Sequence, residues 1–193
     1  MRNLNRIVLI YLTLFPFFAF SQTDSVRHVR PVYFNQFLAG GLIGKGENGN
    51  SLSASSIHGV RIGKIGLAVG ISADTYAAWK TVPVYASFSY DFAAIKNHSL
   101  FIQFDAGYAK VWHIDTNNDP FNYEEKGGRI FHPVIGYRIK TNQWSIYIKA
   151  GYKFQQIKYI QTYRWEDWGR AYFSNNVTRA NELLSIQLGF GLH

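Results

Sequence analysis

The residue types needed for a serine hydrolase all occur in the middle of this sequence. Ser87, Ser89 and Asp91 alternate in one stretch, Asp105 lies in the next, and His132 follows. A hydrolase would need hydroxyl, imidazole and carboxylate hydrogen-bonded in series. No G-x-S-x-G nucleophile elbow accompanies them. The sequence therefore favours a set of polar side chains that satisfy one another, and we expect no catalytic residue here.

A second group could bind a cation. Asp115, Asn117 and Asp119 are spaced like the first ligands of a calcium loop. The sixth position of that loop is Pro120 instead of glycine and the twelfth is Lys126 instead of glutamate, which excludes an EF-hand. The chain has no cysteine, so disulfides and thiolate metal sites are excluded as well. We expect no metal or cofactor.

Strict alternation of side chains indicates the elements that carry these residues. In residues 82–92 and 100–112 every second residue except Lys110 is apolar, and a short polar turn around Lys96, Asn97 and His98 joins the two runs. Such a period predicts two strands of an antiparallel hairpin. The apolar face holds Val82, Val84, Ala86, Phe88, Tyr90 and Phe92, then Leu100, Ile102, Phe104, Ala106, Tyr108 and Trp112. The opposite face is polar or small.

The same pattern recurs along the chain. It predicts strands at residues 32–44, 53–63, 66–73, 82–92, 100–112, 128–141, 145–163 and 182–193, eight in number. Short turns and long loops alternate, and the longest predicted loops are residues 113–127 and 165–181. The faces of the first strand cannot be assigned because Gly40 and Gly41 blur them. Pro133, in mid-strand, predicts a bulge.

An even strand number, with short turns on one rim and long loops on the other, is typical of a transmembrane barrel. The fold class is therefore all-β, an eight-stranded antiparallel up-and-down transmembrane β-barrel. Its interior would be polar and filled by side chains. The expected interior set is Arg61, Ser87, Ser89, Asp91, Gln103, Asp105, His132, Arg138, Lys149, Lys153, Ser185 and Gln187. Acids and bases can pair across such a lumen, so we expect it to be plugged.

Tryptophans and arginines mark the rims of this barrel. Trp79, Trp112, Trp165 and Trp168 fall at the long-loop rim and Trp144 at the short-turn rim, as an aromatic girdle would require. Arg164, Arg170 and Arg179 belong to the long-loop rim. They would either keep the loops soluble or contact lipopolysaccharide phosphates.

The N-terminal residues 1–21 have the composition of a secretory signal peptide. Arg2 and Arg6 precede an apolar run of about 14 residues, shorter than the roughly 20 that span a bilayer, and Ala19 and Ser21 suit cleavage. Residues 22–193 would then form one barrel domain. Removing Arg2 and Arg6 lowers the net charge from +8 to +6. The remaining basic residues are scattered, which disfavours nucleic acid and suits an anionic membrane surface.

With these features the chain resembles the small eight-stranded outer-membrane barrels of the OmpA and OmpX type. The resemblance implies a non-enzymatic monomer in the outer membrane of a Gram-negative bacterium, with a structural, envelope-stabilising or adhesive, loop-presenting role. It implies contacts with outer-membrane lipids and with the barrel-insertion machinery. One alternative is an outer-membrane enzyme that modifies lipid, although we expect no serine and histidine together at the lipid-facing rim. Another is a periplasmic lipocalin-like ligand-binding barrel, which would need an apolar interior.

Overall fold

The computed structural model describes residues 30–44, 49–76, 78–114, 121–163 and 173–192. Its strands are β1 (Val32–Ile43), β2 (Asn50–Ile62), β3 (Ile65–Thr75), β4 (Trp79–Ile95), β5 (His98–His113), β6 (Phe121–Lys140), β7 (Trp144–Tyr163) and β8 (Phe173–Leu192). Each strand pairs antiparallel with the next, and β1 pairs with β8 to close the ring. The predicted eight-stranded up-and-down barrel is confirmed. No helix in the described ranges is long and apolar enough to cross a membrane. The predicted signal peptide lies outside those ranges.

The barrel is inside-out relative to a water-soluble protein. On its outer wall Leu67 is 53% exposed, Ile148 is 44% exposed and Leu188 is 59% exposed. In its lumen Asp105 and Lys149 are only 3% and 2% exposed. Lipid is the solvent that such an apolar wall requires, because exposing these aliphatic side chains to water would be unfavourable.

Two predicted loops are shorter than the sequence suggested. Residues 121–127 already belong to β6 and residues 173–181 to β8, where we had predicted loop. β6, β7 and β8 each contain 20 residues, about twice the 9–11 that a tilted membrane strand needs. Beyond the bilayer both faces of a strand are exposed to water, so the alternation of apolar side chains disappears. The backbone hydrogen bonds between neighbouring strands continue.

The turn rim holds three tight connections, the start of β1 and the end of β8. Gly63 and Lys64 form the first turn, one residue earlier than predicted, and Lys96 and Asn97 form the second. The third spans residues 141–143. The bulge predicted at Pro133 is wrong, because the β6–β7 register is the same on both sides of it. The register shifts instead between Glu125 and Gly127, where Gly127 adopts a φ of 72° that favours glycine.

Candidate functional site

A large group of polar side chains lies inside the barrel. Its loop-side layer is centred on Asp74 of β3, whose Oδ2 lies 2.6 Å from Lys153 Nζ of β7. The hydroxyl of Ser53 donates to Asp74 Oδ1 at 2.6 Å, and Gln187 Nε2 lies 3.4 Å from the same hydroxyl. Since β3 and β7 stand on opposite sides of an eight-stranded ring, this ion pair crosses the lumen.

The middle layer is centred on the ammonium of Lys149. It donates to Gln36 Oε1 at 2.6 Å and to Gln103 Oε1 at 2.8 Å, two strands away on either side. Gln103 Nε2 in turn donates to Asp105 Oδ1 at 2.8 Å. His132 Nδ1 lies 3.4 Å from the other oxygen of Asp105. The Gln103 amide thus connects a buried ammonium to a buried carboxylate, which makes both tolerable in a medium of low dielectric constant.

The turn-side layer contains two guanidiniums and one carboxylate. Arg138 of β6 forms a short ion pair with Asp91 of β4. Arg61 of β2 approaches the same carboxylate oxygen at 3.6 Å, too far for a hydrogen bond, and its guanidinium lies 5.0 Å from the centre of the Phe34 ring. Positive charge therefore exceeds negative charge at this end of the lumen.

The structure places all nine residues of the predicted lumen network inside the barrel, eight of them buried and Arg61 half-buried: Arg61, Asp91, Gln103, Asp105, His132, Arg138, Lys149, Lys153 and Gln187. Sequence reasoning missed Asp74 and Gln36, which are central to two layers. Asp74 shares the inward parity of Ser72, and extending the predicted strand by one residue would have found it. Gln36 lies on the strand whose faces had been left unassigned.

The hydrolase triad is not assembled in the lumen. Cross-strand pairing places Ser87 opposite Asp105, and Asp105 opposite His132. The carboxylate therefore lies between the serine and the histidine, whereas a triad needs the histidine between the other two. Among the described residues His132 Nε2, the atom that would take the serine proton, has no hydrogen-bond partner.

An aromatic and aliphatic cluster fills the lumen at the loop side, and we name it the aromatic plug. Trp79 stacks on Tyr159 with ring centres 4.6 Å apart, and both are buried. Tyr76, just beyond β3, donates its hydroxyl to Gln155 Oε1 at 2.9 Å. Burial raises the pKa of Tyr76 well above its usual value, so it stays a neutral donor. The other buried members are Leu42, Val111, Ile157 and Leu183.

Trp79 consequently does not belong to the aromatic girdle, contrary to our prediction. It has the same strand parity as Thr81 and Tyr85, which both face inward. The alternation of the predicted fourth strand, continued three residues towards the N-terminus, carried that signal. Trp112 and Trp144 do face outward, at the loop rim and the turn rim respectively. Trp165 and Trp168 lie outside the described residues.

The outer wall holds an unexpected polar trio. Ser56 Oγ lies 2.8 Å from His58 Nε2, and Tyr33 OH lies 2.7 Å from His58 Nδ1. Our expectation of no serine and histidine together concerned the lipid-facing rim, whereas this pair lies in the middle of β2, where His58 is paired with Val69, and sequence reasoning missed it. The signal was the i, i+2 spacing of Ser56 and His58, which puts both on one face of a strand. Their partner Tyr33 is brought next to them by the β1–β2 register.

The loop half of the outer wall carries a row of basic residues. Lys80, Lys110, Arg129 and Lys158 are exposed on four consecutive strands, β4 to β7. The ammonium of Lys110 lies 5.1 Å from the Trp112 ring centre. Of the arginines predicted for lipopolysaccharide, Arg164 and Arg170 lie outside the described residues. Arg179 is exposed on the part of β8 that projects beyond the apolar band, with the parity of lumen-facing Asn181 and Leu183.

No group of three or more potential metal ligands occurs in the part of the chain that the structure describes. Asp115, Asn117 and Asp119, the residues of the candidate calcium loop, lie outside that part.

Comparison with known proteins agrees with the observed architecture. No family model matches the chain, and no curated protein sequence does. Among solved structures, Neisserial surface protein A (NspA) matches with a TM-score of 0.56 and 17% identity, over 84% of this chain and 98% of that one. The N-terminal β-barrel domain of Pseudomonas aeruginosa OprF matches with a TM-score of 0.51 and 11% identity, over 84% and 98% respectively. At such identities the likeness shows the fold: the chain has the eight-stranded barrel fold of the small outer-membrane proteins.

Proposed function

We propose that this protein is a monomeric outer-membrane barrel with a lumen closed to ions. Its role is structural: it stabilises the envelope or presents its long loops for adhesion, and it acts on no nucleic acid. A signal peptide at residues 1–21 exports it, and the insertion machinery folds it with the turn rim towards the periplasm. The eight-stranded barrel fold and the apolar outer wall support a location in a membrane.

The observation that carries this proposal is the filling of the lumen. The Asp74–Lys153 ion pair crosses it, the Lys149 layer lies below, and the aromatic plug lies towards the loops. An eight-stranded barrel has an interior just wide enough for its own side chains. Side chains that are paired and packed in this way would oppose the passage of a hydrated ion, which supports a closed lumen.

Planar-bilayer recording tests the closed lumen. The purified, refolded protein should give no stepwise current, whereas a porin reconstituted under the same conditions supplies the positive control. Folding is checked on a gel of boiled and unboiled samples, since a folded barrel changes mobility on heating. Stepwise currents from protein that passes this folding check would contradict the proposal.

The basic row on the outer wall supports contact with lipopolysaccharide. Lys80, Lys110, Arg129 and Lys158 lie at the loop half, near the interfacial Trp112. Lysine and arginine at that height suit the phosphates of an anionic leaflet. Arg164 and Arg170 would add to this contact, and Arg179 would do so from the part of β8 that projects beyond the apolar band.

A second candidate function, lipid-ester hydrolysis, is favoured by the outer-wall trio. With Nδ1–H of His58 donating to the Tyr33 oxygen, Nε2 is free to accept the Ser56 proton. The serine oxygen would bond to the acyl carbonyl carbon, and the departing alcohol would receive that proton from the histidine. Water would then cleave the acyl-serine. Ser56 also lines an apolar groove of about 640 Å³ with Phe37, Ile71 and Phe190, which suits an acyl chain.

Release of fatty acid from phospholipid micelles tests this candidate. Activity that disappears in Ser56→Ala and His58→Ala, but persists in the lumen variant Ser87→Ala, would support the hydrolase. If wild type and all three variants release acyl chains at the same background rate, the trio is a set of mutually satisfied polar groups and the structural role stands.

A further inference from the structure

The turn-side end of the lumen contains a cavity that no layer described above fills. It has a volume of about 270 Å³ and opens inside the ring of strands, at the rim that carries the tight turns. Its walls include three basic side chains, from Arg30, Arg61 and Lys140, and two aromatic ones, from Phe34 and Tyr147. We call it the mouth cavity. Its position inside the ring separates it from the lipid around the outer wall.

Charge in this region is strongly one-sided. Among the described acidic residues Asp91 alone belongs to the turn half of the barrel, since Asp74, Asp105, Glu124, Glu125 and Glu182 lie further towards the loops. Asp91 is already engaged by Arg138. The three basic side chains of the mouth cavity therefore converge without an equal number of carboxylates, which gives a positive potential in a concave space.

Arg61 can donate a hydrogen bond to an additional acceptor. It lies 3.6 Å from Asp91, beyond hydrogen-bond distance, and its plane is supported by the Phe34 ring 5.0 Å away. Its side chain is only 14% exposed, and its Nε has no hydrogen-bond partner among the described residues. A buried guanidinium donor without an acceptor is costly, so an oxyanion at this position would be stabilising.

The chemistry of the walls indicates a phosphate group. A guanidinium presents donors in a fork that matches phosphate oxygens, and an ammonium adds a point charge. Three cations suit a dianion better than a single carboxylate. The volume allows a phosphate with a small organic part against the aromatic walls. We propose that the mouth cavity binds a small, water-soluble phosphate or phosphomonoester from the periplasmic side. This inference rests on the barrel fold and on the orientation proposed above, with the turn rim towards the periplasm, and it does not depend on the structural role.

Inorganic phosphate is the probe for the test. The full-length folded protein in zwitterionic detergent is titrated with sodium phosphate, and with sodium chloride at matched ionic strength. Phosphorus NMR linewidth and thermal unfolding are the readouts. The phosphorus resonance of phosphate should broaden saturably in the presence of the protein, and phosphate should raise the Tm of the protein. Chloride should not raise the Tm. In Lys140→Gln and Arg30→Gln the apparent Kd should weaken about tenfold, which corresponds to about 1.4 kcal/mol.

The matched control is Lys96→Gln, which removes an exposed cation from a turn on the same rim but outside the mouth cavity. It should respond to phosphate as wild type does. Equal responses in all variants, or equal stabilisation by chloride, would overturn the site. Repeating the titration in nanodiscs distinguishes a soluble phosphate from the phosphate of a lipid headgroup. A response present in phosphatidylcholine but abolished by phosphatidylglycerol would assign the cavity to a lipid headgroup and overturn the soluble ligand.

Discussion

Lys153 Nζ reaches across the barrel to within 2.6 Å of Asp74 Oδ2. The two residues belong to β7 and β3, which are four strands apart in the ring, and both side chains are at most 3% exposed. This ion pair links opposite walls of the lumen, and it turns a sheet closed only by backbone pairing into one that is also braced through its interior.

Removing one partner of this pair should destabilise the barrel strongly. Asp74→Ala leaves the ammonium of Lys153 buried without a counter-charge, at an expected cost of about 3–5 kcal/mol in the free energy of unfolding. The double variant Asp74→Ala/Lys153→Met should recover a large part of that loss. Urea unfolding in detergent micelles measures these two variants and the single variant Lys153→Met. If the double variant is as unstable as the sum of the two single variants, the residues are not coupled.

The outer wall should reject charge in the middle of β3 and tolerate it at the rim. Val69→Arg places a guanidinium on the outer wall halfway along β3, at an expected cost of about 2–4 kcal/mol. Ile95→Arg, next to the Lys96–Asn97 turn, should cost about 0–1 kcal/mol. Unfolding from phosphatidylcholine vesicles compares the two. Equal costs would mean that the apolar band is not where the wall polarity indicates.

Gly136 should be intolerant of a side chain because Phe101 covers it. The two residues face each other on β6 and β5, and a Cβ at position 136 would lie 2.2 Å from Phe101 Cζ. Gly136→Ala should therefore cost about 1–3 kcal/mol. Gly41→Ala is the matched control, since its Cβ would meet no heavy atom within 4 Å, and it should stay within about 0.5 kcal/mol of wild type. A neutral Gly136→Ala would show that the ring can move aside.

Trp79 and Trp144 should differ in their access to lipid. Variants that retain a single tryptophan, with the others replaced by phenylalanine, are reconstituted into vesicles of brominated phosphatidylcholine. Trp144, which is 50% exposed on the outer wall, should be quenched, whereas Trp79, which is 5% exposed inside the plug, should keep its emission. Strong quenching of Trp79 would show that it faces lipid and belongs to the aromatic girdle.

The basic row should matter only where lipopolysaccharide is present. Replacing Lys80, Lys110, Arg129 and Lys158 by glutamine should lower Tm in lipopolysaccharide-containing bilayers and leave it unchanged in phosphatidylcholine. Lys64→Gln/Lys96→Gln, at the opposite rim, is the control and should have no effect in either bilayer. A Tm unchanged by the quadruple variant in lipopolysaccharide would contradict the contact.

The sequence by itself determined the barrel, because period-two alternation places each side chain on a wall or in a lumen whatever its distant partners are. It therefore predicted that Lys149, Asp105 and Arg138 face inward and that Val84 and Phe104 face outward. Alternation is visible only where a strand has one polar and one apolar face. The prediction of strand therefore failed for residues 121–127 and 173–181, which extend beyond the bilayer and have polar surroundings on both faces.

Only the tertiary structure decided which inward residues meet. Shear and closure of the ring set Lys153 against Asp74 across the lumen, and they set Asp105 between Ser87 and His132, which removed the possible triad. The same pairing brought Tyr33 to His58 and gathered Arg61 and Lys140 around one cavity. These contacts depend on the register of strands far apart in the chain, and the alternation within any one strand carries no information about that register.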